Sequence, residues 1–81
     1  MTKAEMAEYV DKKPIAVYPM SNWGGLEILD IIHGIDDYAV VRFNFGEPEE
    51  KIHKVKIYYG ARSASIKVDG VTVSLDDCMR V

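Results

Sequence analysis

The dipeptide Asp69-Gly70, set between the runs Ser63–Val68 and Val71–Leu75, constrains this chain more than any other feature. Both residue types tolerate the positive φ that a two-residue type I′ reversal needs, and that reversal matches the twist of the strands it joins. It predicts Val68 opposite Val71, Ile66 opposite Val73 and Ala64 opposite Leu75, apolar against apolar. Gly60-Ala61 predicts a second reversal, of type II′, with Ile57 opposite Ala64 and Val55 opposite Ile66. The polar loop Gly46-Glu47-Pro48-Glu49-Glu50 then sets Phe43 opposite His53, Val41 opposite Val55 and Ala39 opposite Ile57. A slip of one residue would invert every pairing. Three turns that agree on one apolar face therefore predict an antiparallel meander.

The remaining elements follow from caps and breakers. Thr2-Lys3-Ala4-Glu5 matches the capping box, and Met6, Tyr9 and Val10 fall on one helical face behind it. Pro14 disfavours helix at Lys13, so a helix is predicted over residues 2–12. It is too short to stand alone and must dock on something. Strands are predicted over 14–18, 26–32, 38–45, 51–59, 63–68 and 71–75. Apolar residues occupy both faces of 26–32, which leaves the register of that strand open. Ser74-Leu75-Asp76-Asp77 is predicted to cap one helical turn running to Arg80.

The fold class expected is α+β: a short N-terminal helix, then a strongly bent antiparallel meander of five or six strands. The ending Val68-Asp69-Gly70-Val71-Thr72-Val73-Ser74-Leu75-Asp76-Asp77 resembles the last hairpin and helical turn of SH3-like barrels. The likeness is confined to that segment and implies closure into a small barrel.

At 81 residues there is room for one domain, expected to span 1–81. A chain of this size buries only roughly 60% of the surface its unfolded form exposes. A hydrophobic content of 48% against 28% charge argues for a folded chain rather than a disordered one. The longest apolar stretch, Tyr38-Ala39-Val40-Val41, falls far short of a membrane span, and the first residues carry no secretory signal pattern. Cys78 is the only cysteine, which fits a reducing compartment, so a cytoplasmic location is expected.

Charge is unevenly divided. Residues 1–50 hold four basic and ten acidic side chains, whereas residues 51–81 hold six basic and three acidic. The register derived above places Arg42, Lys54, Lys67 and Thr72 in one row on the face opposite the core. Val40, Lys56, Ser65 and Ser74 form the next row, then Tyr38, Tyr58 and Ser63. Adjacent like charges destabilise a sheet, so such a row needs an explanation. One is a docking surface: Arg42, Lys54, Lys56 and Lys67, flanked by Tyr38 and Tyr58, would orient an acidic protein surface. The alternative partner is nucleic acid, with cations on phosphates and tyrosines stacked on unpaired bases. Against both stands a solvated face whose cations snorkel over Val40 and Ile52 or are neutralised by Asp30 and the acidic half.

Trp23, in Ser21-Asn22-Trp23-Gly24-Gly25, is either an interface anchor or a plug at one end of the core. His33 stands near Asp30, Asp36 and Asp37, but no zinc-type spacing accompanies it, and His53 belongs to the core face with a hydrogen bond expected there. No metal and no cofactor are expected. Asp76 and Asp77 beside Cys78 would raise its pKa, and no nucleophile elbow, P-loop or dinucleotide fingerprint occurs. The expectation is a small non-enzymatic interaction module, similar in composition to accessory and inhibitor proteins of phages and mobile elements. A homodimer, acidic half against basic half, is a further partner class.

Overall fold

From Ala16 to Arg80 the backbone weaves through seven antiparallel strands, in a computed structural model that describes residues 2–18, 25–43, 52–68 and 70–81. Helix α1 spans Lys3–Ala7. The strands are β1 (Ala16–Tyr18), β2 (Leu26–Ile32), β3 (Tyr38–Phe43), β4 (Ile52–Tyr59), β5 (Ala64–Val68), β6 (Val71–Ser74) and β7 (Met79–Arg80). They lie in the order β6-β5-β4-β3-β2-β1-β7. The first half of β4 pairs with β3 and its second half with β5, so the sheet bends there into a half-barrel.

The helix is shorter than the predicted 2–12. The Thr2 hydroxyl accepts from the Glu5 amide at 3.2 Å, as a cap should, but also donates to the Glu5 carboxylate at 3.1 Å. The carboxylate is thereby held away from the Thr2 backbone amide. Beyond Ala7 the chain continues as turns, with the amides of Tyr9 and Lys12 donating to the carbonyls of Met6 and Tyr9. Among the described residues, seven strands replace the expected five or six. The segment predicted as a helical turn to Arg80 is a single 3-10 turn, Leu75–Asp77, capped by the Ser74 hydroxyl, and it releases the chain into β7. β7 pairs with β1, Ala16 opposite Arg80 and Val17 opposite Met79.

The hairpin at Gly70 has the expected register: Val68 faces Val71 and Ile66 faces Val73. Gly70 has φ of +78°, the left-handed conformation that the reversal requires. The other two registers are corrected by two residues each. Among the described glycines only Gly25 and Gly70 have positive φ, so Gly60 does not form the II′ turn. Four residues, Gly60 to Ser63, connect β4 to β5 instead, and the Gly60 amide donates to the Ser63 carbonyl. Ile57 therefore faces Ile66 rather than Ala64. Between β3 and β4, Val41 faces His53 and Ala39 faces Val55, again two residues from expectation. An even slip leaves every side chain on its predicted face, so the core survives it. Asn44, Phe45, the loop 46–50 and Lys51 lie outside the described residues, as does Trp23 with both of its readings.

A β-bulge in β2 resolves the strand whose pattern is ambiguous. Ile28 faces Val41 and Asp30 faces Val40, which leaves Leu29 without a partner of its own. The extra residue shifts the alternation: Leu26, Ile28 and Ile31 join the inner face, while Glu27, Leu29, Asp30 and Ile32 face outward. The inner cluster contains Leu26, Ile28, Val41, Ile57, Ile66, Val68 and Val73, with Ala39 and Phe43. A second, smaller cluster of Leu29, Val40 and Ile52 lies on the outer face, where Met6 and Tyr9 cover it. The helix thus docks over the bulge. Val40 and Ile52 are covered by Met6 of α1 and by Tyr9 in the turns that follow it.

Candidate functional site

With the corrected register, the outer face reads in three rows across β2, β3 and β4. They are Glu27–Arg42–Ile52, Asp30–Val40–Lys54 and Ile32–Tyr38–Lys56. Arg42 and Lys54 are therefore diagonal rather than adjacent. The row of three neighbouring cations does not form, and with it goes most of the repulsion that called for an explanation. Further on, Tyr58 faces Ser65 and Lys67 faces Thr72. Continuing the β4–β5 register one step past its last hydrogen-bonded pair brings Lys56 opposite Lys67. All four cations remain on the outer side of the sheet.

Their surroundings differ. Arg42 is held at both ends: its guanidinium donates to Glu27 Oε2 at 2.7 Å and to the Val10 carbonyl at 3.1 Å. That second bond ties the chain after α1 to β3. Lys12 does the same for β2, reaching Asp30 Oδ2 at 2.9 Å while lying 5.3 Å from the Tyr9 ring centre. The hydrogen bond from Lys12, helped by one from the Ile31 amide, holds the Asp30 carboxyl below the ordinary carboxylate range. Arg42 is thus part of the helix clasp, and the neutralisation expected from the acidic half is realised there.

Beyond the helix the face is open. The Lys54 ammonium lies 4.7 Å from the centre of the Tyr38 ring, and that of Lys56 lies 5.7 Å from the centre of Tyr58. Each contact is of the cation–π type, worth about 0.5–1 kcal/mol at an exposed site. Lys56 also stands 3.7 Å from Asp36, at an exposed pair of modest strength. Lys54 and Lys67 have no ion partner among the described residues. Tyr58 keeps half of its surface exposed.

No protein-family model, curated protein or solved structure matches this chain. The site therefore rests on its own geometry. Of the residues singled out in the sequence, Tyr38, Lys54, Lys56, Tyr58 and Lys67 share the open part of the outer face, while Arg42 belongs to the clasped part.

Two contacts escape a reading of the sequence. The Tyr59 hydroxyl donates to Asp37 Oδ2, and the Ile57 amide donates to the Asp37 carbonyl, which together fasten the start of β3 to β4. The bond from Tyr59 lowers the Asp37 pKa, and the same bond raises that of the Tyr59 phenol. His53 sits on the inner face as expected, but stacks on Phe43 with ring centres 4.9 Å apart. Its Nε2 is buried without the predicted hydrogen bond. His33 is an exposed neighbour of Asp37 at 3.4 Å. No helix among the described residues is long and apolar enough to cross a membrane.

Proposed function

We propose that this protein is an interaction module that docks an acidic surface of a partner protein on the open part of its outer face. Lys54, Lys56 and Lys67 supply the charge, and Tyr58 supplies an aromatic contact of the type enriched at interface hot spots. The observation that carries the reading is the contrast in pairing. Arg42 and Lys12 have carboxylates at 2.7 and 2.9 Å, whereas Lys54 and Lys67 have none among the described residues. The 3-10 turn after the last hairpin, and the short final strand set against β1, support the likeness to SH3-like barrels. A non-enzymatic role in the cytoplasm, of the accessory or inhibitor kind known from phages and mobile elements, belongs to the same proposal.

Nucleic acid is the second reading, favoured by the alternation of lysine and tyrosine on one face. Two observations weigh against it. The ring faces of Tyr38 and Tyr58 already carry ammonium groups, so a base would have to displace them before stacking. The chain as a whole bears a net charge of −3.

Affinity capture from the native host separates these readings when wild type is compared with Lys54→Glu/Lys67→Glu and with a control of equal charge change, Lys3→Glu/Lys13→Glu. The proposal expects a defined protein that is retained by wild type and the control and lost from the first variant. Equal recovery by all three removes the outer face from consideration. Binding to single-stranded oligonucleotide that weakens steeply with salt and disappears in Lys54→Glu/Lys67→Glu would favour the second reading.

A further inference from the structure

At its exposed edge the inner face ends on a charged residue, Arg80. Arg80 stands opposite Ala16, Ala16 opposite Ile28, Ile28 opposite Val41 and Val41 opposite His53. Directly paired residues share a face, so this guanidinium projects from the same side as Ile28 and Val41, which are 2% and 0% exposed. The Arg80 side chain makes no ion pair or hydrogen bond among the described residues. Between it and Ile28 stands alanine, where a larger side chain would fill the row.

The space left open is a groove of about 380 Å³, open to solvent on one side and lined by Ile15, Ala16, Ile28, Ile31, Leu75, Cys78 and Arg80. That volume lies near the lower end of the range for small-molecule sites, about 300–1,000 Å³. Besides Arg80, its lining side chains are aliphatic apart from a thiol that donates to the Ser74 carbonyl at 3.7 Å, and polar atoms make up a large share of its surface. Burial, followed by the charge of Asp77, raises the Cys78 pKa, so the thiol is neutral at physiological pH. The site therefore sets one cation beside a patch of aliphatic side chains.

We infer that this groove binds a small alkyl monocarboxylate of about six to ten carbons, its chain against Ile28, Ile31 and Leu75 and its head on Arg80. The guanidinium fork matches a carboxylate through two parallel hydrogen bonds. The site lies on the opposite side of the sheet from the lysine surface and does not depend on the reading given to that surface.

Titration with butanoate, hexanoate, octanoate and octan-1-ol tests the assignment, followed by the methyl NMR signals of Ala16, Ile31 and Leu75. Protection of Cys78, the sole cysteine, from N-ethylmaleimide gives a second readout. Affinity should rise about fourfold per methylene along the acids. Arg80→Gln should weaken octanoate by about tenfold and leave octan-1-ol within about twofold, the difference expected for a charge-assisted pair. Lys54→Glu/Lys67→Glu should bind octanoate as wild type does. Unmoved signals at millimolar octanoate would overturn the inference, and so would equal octanoate binding by wild type and Arg80→Gln.

Discussion

The outer face of the sheet has two halves that share a pattern and differ in use. Beside the helix, Arg42 holds Glu27 and the Val10 carbonyl, and Lys12 holds Asp30. Beyond the helix, Lys54 lies on a tyrosine ring, Lys56 lies on another and 3.7 Å from the exposed Asp36, and Lys67 meets nothing described. The alternation of β3 and β4 places all of them outward with no distinction between the halves. What separates them is the bulge at Leu29, which turns an apolar residue outward and so gives the helix a place to dock. A single inserted residue decides which charges are structural and which are free to meet a partner.

Changing that residue should have the largest effect. Leu29 is 0% exposed beneath Met6 and Tyr9, and Leu29→Ala should cost about 2–4 kcal/mol in urea denaturation. Deleting Leu29 sharpens the comparison. Without it, Ile28 still faces Val41 and Asp30 still faces Val40, so every other side chain in β2 keeps its face. The deletion should therefore cost no more than Leu29→Ala. A markedly larger loss would contradict the bulge.

Much of this architecture is legible in the chain, for identifiable reasons. Asp69-Gly70 determines its hairpin because the two residues suit only a narrow set of turns, and the pairs at Ile66 and Val68 follow. Inner and outer faces follow from alternation, and slips of two residues at β3–β4 and β4–β5 do not disturb them. The exact partners are less legible because Gly60 can serve a four-residue connection as readily as a tight one. The bulge is not legible, since Ile28 and Leu29 are both apolar and either can be buried on either side. Nor is the clasp: Glu27 lies 15 residues from Arg42 and Val10 lies 32 away, separations no local pattern reports. β7 is only two residues long, too short for alternation to register, yet it brings Arg80 to the inner face.

A smaller effect comes from pH. The folded pKa of Asp30 is lowered by Lys12, so its stabilising contribution is complete above the unfolded carboxylate pKa, about 3.9. It is lost as the pH falls through the lowered folded value. Both side chains are 38% exposed, so screening should keep the contribution below about 1 kcal/mol. Asp30→Asn should accordingly be slightly less stable than wild type at pH 7 and converge on it once the pH falls below the lowered folded value. A gap that persists unchanged at low pH would place the role of Asp30 outside the ion pair.

The division of the outer face is tested most directly by urea denaturation of Arg42→Gln beside Lys67→Gln, two substitutions that each remove one cation. Arg42→Gln should lose about 1–2 kcal/mol with its two hydrogen bonds, and Lys67→Gln should stay within about 0.5 kcal/mol of wild type. Equal losses, or a loss confined to Lys67→Gln, would mean that the charges under the helix and those beyond it are not divided in this way.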